Sequence, residues 1–328
     1  FAAVEAGATL NTAMGVNALQ DLTTGDGNTA IGYQAALNAT TASNTVAIGN
    51  AAIGTGVLTG TDNTAIGQSA GNDLTSGAYN FFGGYRAGWN ATTPSHTIAI
   101  GRLAIGLGVL TGGDNVAIGY QAGYDLTSGT YNFFGGRQAG YNLTTGAYNI
   151  LQGYQAGLNA TTASYTVAIG PQAIGTGILT GDSNVAIGRL AGNDLTSGTY
   201  NNFMGYAAGT NATTANNTVA IGNAAIGVGV LTGTDNIAIG QLAGADLTSG
   251  AYNFFGGYQA GLNATTASYT VAIGPQAIGL GVLTGTSNIA IGRQAGYDLT
   301  SGTYNILQGF QAGYNVTTGN GNVFSGYQ

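Results

Sequence analysis

The sequence predicts an all-β fold, a parallel β-solenoid (β-roll) of about 19 coils of 17–18 residues each. Three observations predict it. A glycine recurs every 17 or 18 residues, from Gly15, Gly32, Gly49, Gly67 and Gly84 through to Gly309 and Gly326, at nineteen positions without a break. The residues flanking each glycine repeat in kind. The coil lengths run 17, 17, 18, so a 52-residue super-repeat of three coils lies over the short period. A fixed short period means one supersecondary unit stacked on copies of itself.

Each element follows from its place relative to the series glycine, taken as position 0. Position −3 is β-branched or aromatic in most coils, as at Val46, Ile98, Val116, Phe133, Val185 and Ile237. Position −1 is most often Ile, as at Ile31, Ile48, Ile66, Ile100, Ile118 and Ile169, and a small residue such as Ala47, Ala99 or Ala186 stands between. Large, small, large, small is the alternation of a β-strand with one bulky and one smooth face. The smooth face suits either close packing against another chain or a thin core within one chain.

Beyond the glycine, position +3 is Ala in every coil from Ala18 to Ala312. Thr stands at +8 in two coil types, as in Thr23, Thr40, Thr75, Thr92 and Thr127, and at +10 in the remaining type, as in Thr59, Thr111, Thr180, Thr232 and Thr284. Asn stands at −4 in Asn28, Asn63, Asn80 and Asn115. Identical residues on successive coils predict in-register ladders spaced about 4.8 Å apart. Gly32, Gly49, Gly67, Gly84, Thr40, Thr59 and Thr75 are therefore read as structural ladder positions. Glycine permits corner angles that other residues resist. Leu22, Leu74, Leu126 and Leu195, just before the Thr, are expected to point into a narrow core. Nineteen coils at that spacing imply a rod on the order of 90 Å long.

The three coil types differ in content. The first is aromatic, as in Tyr79-Asn-Phe-Phe-Gly-Gly-Tyr-Arg-Ala-Gly88. The second reads Thr97-Ile-Ala-Ile-Gly101 followed by Ala104-Ile105-Gly106, and the third Asn115-Val-Ala-Ile-Gly119 followed by Asp125-Leu-Thr-Ser-Gly129. The order breaks once, where the aromatic coil of Gly136 is followed by another centred on Gly153. Whole-coil duplication explains this, because solenoid contacts are nearest-neighbour. Residues 1–328 are read as a single repeat domain, with a lead-in over residues 1–10, coils over residues 11–328 and no cap at the C-terminal end. An open β edge promotes pairing with another chain, so the sequence is expected to be a segment of a longer fibre or to stack end to end.

Composition narrows the functional classes. The chain has 60 Gly, 44 % hydrophobic residues and only 5 % charged residues, too apolar for a disordered tail and without the Gly-X-Y period of collagen. No apolar stretch is long enough to span a membrane as a helix. There is no Lys, and five Arg (Arg86, Arg102, Arg137, Arg189, Arg293) face eleven Asp and Glu5, giving a formal net charge of −7. Nucleic-acid binding and polybasic membrane binding need clustered cations, so neither is expected. No Cys is present, which removes disulfides, thiolate chemistry and Cys-based zinc sites.

The units Asn44-Thr-Val-Ala-Ile-Gly49 and Asn236-Ile-Ala-Ile-Gly240 resemble the head repeats of trimeric autotransporter adhesins, which carry an Asn-Ser-Val-Ala-Ile-Gly core. The stretch Asn28-Thr-Ala-Ile-Gly-Tyr-Gln-Ala35 is similar to repeats of phage tail-fibre-like proteins. The resemblance implies a left-handed parallel β-roll and trimerisation. It extends along the whole chain but rests on one short motif. The coils here are longer than the adhesin repeat, and the neck, stalk and anchor of that family are not found. Phe1 with Glu5 also resembles the start of mature type IV pilins, although Ala-Gly-Ala-Thr follows where a pilin continues as an apolar helix.

Candidate sites each carry two readings. Asn-x-Thr triplets occur at Asn38, Asn90, Asn142, Asn159, Asn211, Asn263 and Asn315, with Asn216 as an eighth outside the register. They are N-glycosylation acceptors on an exposed corner, or corner residues that repeat with the coil, and the second reading is preferred. Asp73, Asp125, Asp194, Asp246 and Asp298, with Asp62, Asp114 and Asp235, are calcium ligands or corner Asx-turn residues. The Gly-Gly-x-Gly-x-Asp calcium repeat is absent, so the Asx reading is simpler. Tyr79, Tyr131, Tyr148, Tyr200, Tyr252 and Tyr304, with Tyr33, Tyr85, Tyr154, Tyr206 and Tyr258, could present aromatic surfaces to a glycan, or serve as ladder rungs or interface residues. Only one Thr row is regular, since Ala42, Thr61 and Gly77 vary in the neighbouring row, which fits ice binding poorly. His96 occupies a slot taken elsewhere by Asn44 and Tyr165, and no group of acids breaks the pattern at one place as a glycosidase site would.

The sequence is thus expected to be a non-catalytic structural repeat segment of an extracellular, cell-surface or virion-surface fibre, a stiff spacer and attachment surface. No cofactor and no metal are expected. Expected partners are other copies of the chain, as a homotrimer or an end-to-end filament, and a cell-surface or glycan receptor. The alternative is a self-assembling filament subunit of a cell surface or biofilm matrix, with ice binding a distant third.

Overall fold

The computed structural model describes residues 7–327, so Phe1, Glu5 and Gln328, with the pilin-like start and part of the residue 1–10 lead-in, lie outside the described residues. The chain divides into two compact units, residues 1–165 and 166–328. Nine strands lie in the first unit, from β1 (Thr12–Met14) to β9 (Ile150–Gln152), and ten in the second, from β10 (Val167–Ile169) to β19 (Val323–Ser325). Each strand is three residues long. Within a unit it pairs in parallel and in register with the strand of the next coil, as Ala47 with Ala65 and Ala220 with Ala238. No helix occurs among the described residues. The predicted all-β parallel solenoid is the fold observed.

The strand's smooth face is the inner one. Ala47, Ala99, Ala117 and Ala186 at position −2 are fully buried, while the Val, Ile and Phe side chains at −3 and −1 point outward. The Ala of position +3 and the predicted Leu22, Leu74, Leu126 and Leu195 complete the interior. A core lined by Ala is thin, so the backbone of one side approaches that of the other. Of the two uses for a smooth face, the structure shows a thin core within one chain. The series glycine has a related cause. Gly32 has φ 134° and a Cβ there would meet the carbonyl oxygen of Gly49 at 2.5 Å. Any side chain would therefore force successive coils apart.

Three coils, rather than one, share the core volume. In an aromatic coil the −2 residue is Phe, and fully buried Phe82 packs against two glycines at position +4: a Cβ would approach its ring to 2.6 Å at Gly71 and 2.5 Å at Gly88. The second coil type reverses the assignment, with Ala99 at −2 and buried Ile105 at +4. Close packing demands this compensation, because an interior at crystal-like density tolerates neither void nor overlap. The price is local: Ile53, Ile105, Ile174, Ile226 and Ile278 have φ of 44–48°. A β-branched residue in this left-handed region is strained. Burial and a backbone hydrogen bond hold it, as from Ile105 N–H to the Ala122 carbonyl at 2.9 Å.

Asn at −4 forms an interior polar ladder. The Asn63 Oδ1 accepts from the Asn80 backbone N–H at 3.1 Å and from Asn80 Nδ2 at 3.0 Å, and Asn80 Nδ2 also donates to the Pro94 carbonyl at 2.8 Å. In the second coil type Thr takes the slot. Thr97 N–H donates to Asn80 Oδ1 at 3.0 Å, and Thr218 and Thr270 turn their hydroxyls to carbonyls of their own coil. Buried amides with every arm engaged both stabilise and fix register, since a slip would leave them unpaired.

Candidate functional site

The outer surface is organised in columns, one residue per coil, and these are the candidate sites. The first pair of columns is mostly apolar, with Thr29, Thr64, Gln152 and Gln308 among the polar exceptions. Positions −3 and −1 present Val46 and Ile48, Ile98 and Ile100, and Val116 and Ile118, half-exposed or exposed. In aromatic coils Phe81, Phe133 and Phe254 lie across Gly83, Gly135 and Gly256, where a Cβ would come within 2.9–3.1 Å of the ring. Phe beside Gly thus replaces two aliphatic side chains and keeps the face level. No charged residue stands at either position. In the second unit Asn202 interrupts the face, and its buried Oδ1 has no hydrogen-bond partner.

The corner after the glycine holds a second pair of columns. At position +2 glutamines join coil to coil, with Gln138 Nε2 donating to Gln121 Oε1 and Gln294 Nε2 to Gln276 Oε1, both at 3.1 Å. At position +1 the first unit has Tyr85, Arg102, Tyr120, Arg137 and Tyr154 on five consecutive coils, all exposed. The Arg102 guanidinium lies 5.6 Å from the Tyr85 ring centre and 5.8 Å from that of Tyr120. Arg137 lies 5.7 Å from Tyr120 and 5.8 Å from Tyr154. Arg86 packs over Trp89 at 4.2 Å. Three of the five arginines therefore gather at one corner. Their grouping is visible in the sequence only when the 17–18 register places them at +1 and +2.

Position −5 carries the predicted tyrosines Tyr79, Tyr131, Tyr148, Tyr200, Tyr252 and Tyr304, all exposed and all with φ near 60°. Tyr79, Tyr131, Tyr148 and Tyr252 are ladder rungs, whereas Tyr200 stands between Ser183 and Asn217, and Tyr304 between Ser287 and Gly321, in the same column. Tyr131 stacks on Tyr148 at 4.9 Å and Tyr148 on Tyr165 at 5.1 Å, while Tyr252 stacks on Tyr269 at 5.0 Å and Tyr79 on His96 at 5.1 Å. His96 also stands 3.9 Å from Asp114. Faces that stack on one another offer their edges and hydroxyls to solvent.

The opposite corner holds the Asn-x-Thr triplets. Asn38 Nδ2 donates to the Thr55 carbonyl at 3.0 Å, Asn90 to Leu107 at 2.8 Å, Asn211 to Val228 at 2.9 Å and Asn263 to Leu280 at 2.9 Å. Asn142 donates to Asn159 Oδ1 at 2.7 Å, and Asn315 is exposed. The Asn nitrogen that a glycan would occupy thus joins adjacent coils at Asn38, Asn90, Asn142, Asn211 and Asn263. Thr218, the hydroxyl residue of the Asn216 triplet, is fully buried. The Thr ladder is engaged in the same way, as Thr75 Oγ1 donates to the Thr92 carbonyl at 2.9 Å, with longer bonds at Thr40 and Thr59.

Asp73, Asp125, Asp194, Asp246 and Asp298 share this corner, whereas Asp62, Asp114 and Asp235 stand in the tyrosine column at −5, where Asp62 and Asp235 accept from Asn44 and Asn217. Asp73 accepts from Thr55 Oγ1, and Asp194 accepts from Thr176 Oγ1. Burial pushes the carboxyls of Asp125 and Asp246 above the ordinary carboxylate value. The Tyr141 phenol is pushed up by burial first and by the Asp125 charge second. Among the described residues no three His, Asp or Glu side chains converge as a metal site. No family model matches the chain, and no curated protein matches it either.

Proposed function

We propose that this chain is a non-catalytic structural segment of an extracellular or virion-surface fibre, acting as a stiff spacer and an attachment surface. One observation carries the reading. The side chains with chemical capacity (Asn, Gln, Thr and stacked Tyr) are mostly engaged in ladders between coils, so they serve stiffness. What remains for partners is the regular outer surface. Solenoids commonly bind along such repeated faces. The level apolar columns around Ile98, Ile100, Val116 and Ile118 support self-association, because they carry no charge that would oppose a second copy.

Negative-stain electron microscopy of the purified chain tests this directly. Discrete rods of one length are expected, and analytical sedimentation should give one closed oligomer such as a trimer. Filaments of indefinite length would instead favour the second reading, a self-assembling filament subunit of a cell surface or biofilm matrix. Ice binding predicts thermal hysteresis; engagement of Thr75 Oγ1 and its counterparts in the ladder argues for none.

A further inference from the structure

Within the first unit, Tyr85, Arg102, Tyr120, Arg137 and Tyr154 form a straight exposed row with aromatic and cationic rungs in strict alternation. Two facts distinguish it from ornament. Among the described residues Arg102 and Arg137 form no ion pair with a carboxylate, although the chain carries 12 acids. The Arg102 and Arg137 guanidinium groups each lie between tyrosine rings of the two adjoining coils, and both side chains are exposed. An exposed arginine that lies between two rings and has no acid partner is free to receive an oxyanion through a two-pronged hydrogen bond.

We propose that this row is a binding site for a linear acidic polysaccharide carrying one carboxylate or sulfate per disaccharide. The proposal rests on the attachment-surface reading and assigns it a location and a ligand class. Successive rungs are one coil apart, about 4.8 Å, so the two arginines stand about 10 Å apart. An extended β-linked pyranose chain advances by close to one coil per ring, and alternate rings turn the same edge to the protein. A charge on every second sugar then meets Arg102 and Arg137, while sugar hydroxyls meet the phenol groups of Tyr85, Tyr120 and Tyr154. Arg86, packed on Trp89 beside Tyr85, adds a cation at one end. Single-stranded nucleic acid suits the row less well, because its bases need open aromatic faces, and guanidinium groups flank these rings. In the second unit the same column reads Pro171, Arg189, Tyr206, Asn223, Gln241, Tyr258, Pro275, Arg293, Phe310, where the alternation never exceeds one pair.

The test uses the full chain and fluorescently labelled hyaluronate octasaccharide, with cellohexaose and a thymidine oligonucleotide as comparators, read by anisotropy. The chain should bind the octasaccharide, more weakly as salt rises, and should bind neither comparator comparably. Arg102→Gln with Arg137→Gln should weaken binding by about tenfold or more, and Arg102→Lys with Arg137→Lys, which keeps charge but loses the fork, by less. Arg189→Gln with Arg293→Gln should leave affinity unchanged. Circular dichroism melting confirms that each variant is folded. Absence of octasaccharide binding, equal loss in the second-unit variant, or equal binding of the oligonucleotide would overturn the proposal. Rods that persist in the microscope while binding fails would overturn this site and leave the fibre reading standing; binding without rods would do the reverse.

Discussion

The two units share an interior grammar and differ by one coil. In the second unit Phe255 lies against Gly244 and Gly261, with the strained Ile226 and Ile278 on the coils beyond. In the first unit two aromatic coils follow one another, and the second has Leu151 where the first has Phe134. A Cβ on Gly140 would meet the Phe134 ring at 2.5 Å and Leu151 Cδ1 at 3.1 Å. The space between adjacent aromatic coils holds one ring and one smaller aliphatic group. The same economy recurs where Leu307 precedes Phe324. Core volume thus belongs to a group of neighbouring coils, and an inserted coil must be adapted to its neighbour. Outside, the insertion contributes Tyr148 and Tyr154, which extend the tyrosine stack and the Tyr/Arg row of the first unit alone.

The largest effects should come from violating that volume rule. Phe255→Ala leaves a void between two glycines and is expected to cost about 3–5 kcal/mol in urea denaturation. Phe255→Leu should cost far less, since Leu151 and Leu307 occupy the equivalent slot. Leu151→Phe should be destabilising by about 1–3 kcal/mol, because the neighbouring space already holds a ring. Equal tolerance of Phe and Leu at both positions would break the comparison.

An intermediate effect should follow from cutting the ladder that both units share. Asn63→Ala removes the acceptor of the Asn80 N–H and the donor to the Gly77 carbonyl. The expected cost is about 1–3 kcal/mol for each buried group left unpaired. The equivalent Asn236→Ala in the second unit should match it, since Asn236 makes the same bonds to Asn253 and Gly250. Urea midpoints of the two variants measure both, and a large difference would mean that the ladders are not equivalent.

The smallest effect concerns pH. Burial raises the carboxyls of Asp125 and Asp246, so the folded state holds their protons more tightly than the unfolded chain does. Stability is then lost as pH rises from the ordinary carboxylate value through the raised folded value, and is level above it. Asp125→Asn and Asp246→Asn should each slightly raise the melting temperature at neutral pH, with the gain vanishing under acidic conditions. Tyr141 stands against Asp125, whereas Leu262 takes the equivalent place beside Asp246, so Asp125→Asn should also lower that phenol's pKa. Spectrophotometric titration against Asp246→Asn reads the difference.

Much of this architecture was legible because repetition multiplies a weak local signal. Val-Ala-Ile-Gly alone is an ambiguous strand, but nineteen in-phase glycines with related neighbours leave few folds that can use them. The Leu22 and Leu74 core positions and the Thr75 ladder were readable for the same reason. Other features were not. Ile105 looks like another apolar residue until its left-handed backbone and its exchange of volume with Phe82 are seen. Asn90 carries a glycosylation triplet, and only its bond to the Leu107 carbonyl ties it to the next coil. Arg102 and Arg137 are 35 positions apart in the chain and two coils apart in the row.

The sequence by itself determined the coil length, the strand, the glycine corner and the three-coil order, because each depends on local spacing and on stacking identical units. Tertiary structure decided which strand face is inside, how Phe, Ile and Gly divide the core, and which side chains stand together outside. Those outcomes depend on distances between residues 17 or 18 positions apart, where close packing and hydrogen-bond geometry act and chain-local preference has no bearing.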